Sequence, residues 1–176
     1  MQRVYSSIRT ENKSDALSNF LRQGNDNILL TNIKNPDPGT RQKPLQVSFD
    51  LAANNQVTKT GNELYVVMDW NKDFGDMEFD EERKNDYEFD HKYYYTVQTE
   101  LMIPTGYKVE YLPEPVKKST KGYSFEGSYT NNGKSILYTK TIIINKPVLK
   151  KSEFSDWNAF IKEINKFYND QVVLSK

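Results

Sequence analysis

The chain holds one histidine, His91, and no cysteine. In a catalytic triad the imidazole needs a nucleophile beside it, and a lone histidine is a single ligand where a zinc site needs three or four. The missing cysteines exclude thiol nucleophiles, thiolate metal centres and disulfides, and leave the redox compartment open. His91 falls on the apolar side of a run of alternating residues. A half-buried sheet residue is therefore expected there, not a catalyst.

Carboxylates are plentiful, with 24 Asp and Glu against 24 Lys and Arg. The densest stretch, Asp76-Met77-Glu78-Phe79-Asp80-Glu81-Glu82, offers the oxygen ligands that calcium favours. It lacks EF-hand spacing, and Arg83 and Lys84 neutralise part of it, so it reads as a solvated loop. Paired carboxylates can cleave glycosidic bonds. With so many scattered on polar faces, chance pairs arise and no pair stands out. No catalytic residue, cofactor site or metal ligand set is assigned from the sequence.

Aromatic residues are the remaining candidates. Tyr65 and Tyr94 lie opposite the main apolar rows of their strands, and Trp70 closes a strand. Rings exposed on a flat sheet can stack on a glycan or grip a peptide, so these three form the candidate binding surface. The plainer expectation is that the rings pack: into a sandwich core on one side, beneath a helix on the other.

Composition narrows the class. A net charge of zero argues against a general nucleic-acid or anionic-membrane surface. No apolar run approaches the roughly 18 residues that a membrane-spanning helix needs. The opening Met1-Gln2-Arg3-Val4 has no signal-peptide pattern. Hydrophobic residues are only 36%, yet aromatics reach 13%, and such large side chains can fill a core between polar strand faces.

Periodicity supplies the elements. Ser14 is placed to cap a short helix burying Leu17, Phe20 and Leu21 before Gly24. Residues 27–34 and 44–52 read as strands, separated by the turn Asn35-Pro36-Asp37-Pro38-Gly39. A short strand at 56–58 and a longer one over 63–70 follow. The longest signal is strict alternation from Tyr87 to Ile103, which predicts one long antiparallel strand. Tyr107, Val109 and Tyr111 continue it briefly. Tyr123, Phe125 and Tyr129 face Ile136, Tyr138, Ile142 and Ile144 across Asn131-Asn132-Gly133, which predicts a hairpin over 122–145. At the end the period changes. Phe154, Trp157, Phe160, Ile161, Ile164, Phe167 and Tyr168 form one stripe of an amphipathic helix, with Ser152 or Ser155 as cap. Val172-Val173-Leu174 follows as a short closing strand.

Strands crowd the middle and helices sit near the ends, a distribution that suits an antiparallel β-sandwich with a C-terminal amphipathic helix and a short N-terminal one. Residues 1–43 are assigned to an N-terminal linker, strand and helix, and 44–176 to the sandwich with its terminal helix.

Several phrases in order resemble a known family. They are Glu82-Arg83-Lys84-Asn85-Asp86-Tyr87-Glu88-Phe89, Ile103-Pro104-Thr105-Gly106-Tyr107-Lys108-Val109-Glu110-Tyr111-Leu112-Pro113-Glu114, and Gly122-Tyr123-Ser124-Phe125. The series ends with Glu153-Phe154-Ser155-Asp156-Trp157-Asn158 and Tyr168-Asn169-Asp170-Gln171-Val172-Val173-Leu174. Together they resemble the C-terminal domain of unknown function that follows a transglutaminase-like core in secreted Bacteroidota proteins, over roughly residues 44 to 176. The resemblance implies a non-catalytic accessory domain whose partner is the preceding transglutaminase-like domain of the same polypeptide. It implies a periplasmic or extracellular location and places the Cys-His-Asp machinery in that core. None of that machinery maps onto this chain.

Overall fold

The computed structural model describes residues 21–22, 27–34 and 47–176. They fall into two compact units, residues 1–55 and 56–176. In the first, β1 (Ile28–Lys34) pairs antiparallel with β2 (Ser48–Ala53), Ile28 opposite Ala53. The division lies beyond the boundary read at 43/44, because the strand expected to open the sandwich pairs with β1 instead. Of the helix predicted from Ser14, only Leu21 and Arg22 are described, and they have helical backbone. The rest of it, and the turn at 35–39, lie outside the described residues.

The second unit holds the remaining strands: β3 (Val57–Thr60), β4 (Glu63–Val66), β5 (Tyr87–Glu88), β6 (Tyr93–Met102), β7 (Lys108–Tyr111), β8 (Val116–Ser119), β9 (Tyr123–Asn131), β10 (Ser135–Ile144), β11 (Val148–Leu149) and β12 (Val172–Ser175). One α-helix, α1 (Phe154–Asn169), precedes β12. Two four-stranded antiparallel sheets run in the orders β6-β10-β9-β8 and β3-β4-β12-β7, and β11 pairs with β5. The predicted hairpin is present, with Ile136 opposite Asn131 and Ile144 opposite Tyr123. The architecture is mainly antiparallel β with a C-terminal helix, as the alternation predicted.

The core follows the two periods. Ile136, Tyr138, Ile142 and Ile144 project from β10, Tyr123 and Phe125 from β9, and Val66, Val172 and Leu174 from the other sheet, all buried in one cluster. The whole predicted helix stripe joins them, from Phe154 through Trp157 to Tyr168. Each such side chain contributes roughly 1.5–3 kcal/mol by leaving water, which fixes the helix across the sheets. The Trp157 ring meets Tyr123 edge-on at 5.0 Å and Phe89 at 5.5 Å.

Four local expectations are corrected. The long strand 87–103 is broken: Tyr87–Glu88 pairs with β11, and the chain bends at Asp90-His91 before β6 joins β10. His91 is consequently exposed in the bend, not half-buried in a sheet. The strand expected over 63–70 stops at Val66, and Trp70 stands in an irregular segment. Neither serine caps α1: Glu153 occupies the N-cap, and its carboxylate pairs with Lys146 and accepts the Lys150 N–H.

Candidate functional site

The inward row of β10 contains one residue that the apolar reading passed over. Lys140 lies between Tyr138 and Ile142 on the same face, and its side chain has no exposure to solvent. An ammonium ion in such a place requires partners, since a buried unpaired charge costs many kcal/mol. Its partners come from the irregular segment after β4.

Lys140 Nζ donates to both Asp69 oxygens, at 3.0 Å to Oδ1 and 2.8 Å to Oδ2, and to the Asn71 carbonyl. Those three bonds use every proton that an ammonium has. Asp73 Oδ2 lies 2.9 Å away as an ion pair and receives no hydrogen bond, so its attraction is Coulombic only. Tyr138 donates its hydroxyl to Asp69 Oδ2 at 2.6 Å. The Tyr168 ring lies beneath the ammonium, its centroid 4.7 Å from Nζ.

The same segment is fastened along its length by α1. Tyr168 Oη donates to the Asp73 carbonyl at 3.1 Å and Asn165 Nδ2 to the Gly75 carbonyl at 2.8 Å. Trp157 Nε1 donates to the Met77 carbonyl at 2.6 Å. Asn158 bonds Phe79 twice, accepting its N–H at 2.8 Å and donating to its carbonyl at 2.7 Å. Irregular backbone has no ladder to satisfy its peptide groups, and these helix side chains replace one. Residues 69–79 therefore form a strap, clamped to the sheet by Lys140 at one end and laid along the helix over the rest. The acidic stretch read as a solvated loop is partly this strap: Phe79 is buried and stacks on Phe154 at 4.7 Å, while Asp76, Glu78 and Asp80 remain exposed.

Burial raises the pKa of the Tyr138 hydroxyl far above the ordinary phenol value, and the Asp69 charge adds to the shift. Tyr168 and Tyr129 are raised by burial first and by Asp69 second. Tyr138 and Tyr168 thus contact the ion pair as neutral phenols, and Tyr129 packs on the Tyr138 ring at 5.1 Å. The Lys140 side chain is fully enclosed, and its contacts go to Asp69, Asp73 and the Asn71 carbonyl. The arrangement is suited to holding the chain in place.

The three predicted surface aromatics are not brought together. Tyr65 lies in β4 opposite Val173, faces away from the core and donates its hydroxyl to Glu63 at 2.6 Å. Tyr94 lies in β6, in the other sheet, and is 71% exposed. Trp70 is exposed on the strap between Asp69 and Asn71, both of which Lys140 holds. Among the described residues no group of three or more His, Cys, Asp or Glu side chains is placed to bind a metal, and no helix is long and apolar enough to cross a membrane.

Sequence reasoning missed Lys140 and the asparagines of α1. The signal for Lys140 was its parity: it falls in step with Ile136, Tyr138, Ile142 and Ile144, where a solvent-facing lysine would be out of step.

Two packed antiparallel sheets, a C-terminal helix and an internally fastened strap define a small β-rich domain. The family described as a Domain of Unknown Function with solved-structure structure, DUF3858, matches residues 62–174, and the chain belongs to it. The fold is similar to part of a crystal structure from Parabacteroides distasonis ATCC 8503 described as a putative protease. The TM-score is 0.54 at 19% identity, over 65% of this chain. The matched region is 23% of that protein, so the chain spans about a quarter of its length. No curated protein matches the chain.

Proposed function

We propose that this chain is a non-catalytic accessory domain of a larger exported polypeptide, C-terminal to a transglutaminase-like core and packed against it. The carrying observation is that a similar fold occurs within 23% of a larger protein, one described as a putative protease. A catalytic core elsewhere in such a polypeptide would supply the thiol nucleophile that a cysteine-free chain lacks. The enclosed Lys140 cluster supports a supporting role, since its hydrogen bonds all go to the strap and the sheet. A periplasmic or extracellular location goes with this reading.

The test is to express this chain alone, and the full coding sequence with and without it, and assay amide hydrolysis and transamidation. The isolated chain should be inert, and the full product should carry a Cys-containing core behind an export signal. Turnover by the isolated chain, lost on changing one of its own carboxylates, would overturn the proposal.

A glycan- or peptide-binding role is a second reading, favoured by the high exposure of Tyr94. It draws on single rings, because Tyr65 and Tyr94 stand on different sheets. Titration with oligosaccharides and extended peptides, repeated with Tyr94→Ala, distinguishes it.

A further inference from the structure

The two edges of the sheet β6-β10-β9-β8 are built differently. At one edge β8 has four residues, carries Lys117 and Lys118, and follows Pro113 and Pro115. Short length, lysines and prolines are the devices by which proteins blunt an edge against further pairing. At the other edge β6 runs ten residues, Tyr-Tyr-Tyr-Thr-Val-Gln-Thr-Glu-Leu-Met, in unbroken register with β10 from Tyr93 to Met102. It has no proline, no bulge and one charge, Glu100. Among the described residues its other side pairs with no strand.

We propose that β6 is a self-association edge, and that its occupant is β6 of a second copy of this chain, joined antiparallel about a twofold axis at Gln98. The sequence of the edge is complementary to its own reverse. With Gln98 opposite Gln98, Tyr94 faces Met102 of the second copy and Tyr95 faces Leu101. Tyr94 and Met102 are 71% and 64% exposed and Tyr95 is 42% exposed, so each pair covers apolar surface now in water. Glu100 faces Thr96. Moving the axis to Glu100 would oppose two carboxylates, and moving it to Thr99 would leave Tyr94 without a partner. The centred register is the one that pairs the rings and separates the charges. A single shared strand pair falls at the small end of protein interfaces, so the association is weak and concentration-dependent.

The absence of native cysteine makes the register directly testable. Paired residues on antiparallel strands have Cα atoms about 4.5–5.5 Å apart, within disulfide range. Gln98→Cys should oxidise to a single cross-linked dimer. Thr96→Cys should not, because four residues of strand, about 13 Å, separate its two copies. Thr96→Cys mixed with Glu100→Cys should cross-link as a heterodimer. In sedimentation, the unmodified chain should shift from monomer to dimer with concentration. Gln98→Lys should lose the shift while keeping its melting temperature, since Gln98 is exposed. Three results would each overturn the proposal: a chain still monomeric at the highest concentration that sedimentation reaches; equal cross-linking of Gln98→Cys and Thr96→Cys; or a dimer that survives Gln98→Lys. Exchange protection of the outward-facing β6 amides, those not bonded to β10, in a longer, monomeric polypeptide would also overturn it and assign the edge to a neighbouring domain.

Discussion

Lys140 Nζ lies 2.8 Å from Asp69 Oδ2, with the lysine side chain fully enclosed and the aspartate 3% exposed. The two residues are 71 positions apart and belong to different elements, so the pair ties the irregular segment after β4 to the middle of β10. Enclosed ion pairs contribute little net stability against an apolar replacement of both partners, but removing one partner strands the other.

Lys140→Met should therefore cost about 3–5 kcal/mol, because Asp69 remains buried beside Tyr138 without its cation. The double variant Lys140→Met, Asp69→Leu should cost clearly less than the sum of the two single changes. Urea denaturation of the four proteins measures both values. Additive single costs would show that the pair is not coupled.

Gly127 should not accept a methyl group. A Cβ there would lie 2.5 Å from Phe167 Cε1, a ring fixed by contacts with Phe125, Tyr129 and Tyr138. Gly127→Ala should destabilise by about 1–3 kcal/mol, the usual cost of overpacking. Phe167→Leu in the same chain should return part of it. Thermal melts of the single and double variants check the pair.

Alkaline pH should act through the enclosed phenols. Burial raises Tyr138, Tyr168 and Tyr129 above the unfolded value near 10. Above that value the unfolded chain releases phenol protons that the folded chain keeps. The stability linked to these groups is thus complete below about pH 10 and is lost as pH rises further. Phenolate absorbance should show a fraction of the twelve tyrosines ionising only together with the loss of far-ultraviolet circular dichroism. Reversible ionisation of all twelve in a folded chain would contradict the enclosure.

The elements that the sequence revealed are those whose side chains alone carry the pattern. The 123–144 hairpin and the stripe from Phe154 to Tyr168 are legible because one face is wet and the other dry. The break in the long strand was hidden by parity. Phe89 and Tyr93 are separated by an even number of positions, so alternation continues across the bend at Asp90-His91 as if the strand were unbroken. The strap was hidden for another reason. It is held by backbone groups that accept from Trp157, Asn158, Asn165 and Tyr168, and a hydrophobicity pattern records nothing about carbonyl partners. Asn158 and Asn165 resemble the solvated face of a helix until the segment that they hold is placed against them. Of the candidate surface residues, alternation along β6 directs Tyr94 outward, whereas Trp70 lies beyond the end of β4 at Val66.

The central structural claim is that residues 69–79 are a fastened strap and not a free loop. Exchange of the Phe79 amide hydrogen, which Asn158 Oδ1 accepts at 2.8 Å, tests it most directly. The account predicts protection close to that of β10 core amides, falling by orders of magnitude in Asn158→Ala while β10 stays protected. Exchange at the rate of an exposed loop in the unaltered chain would contradict it.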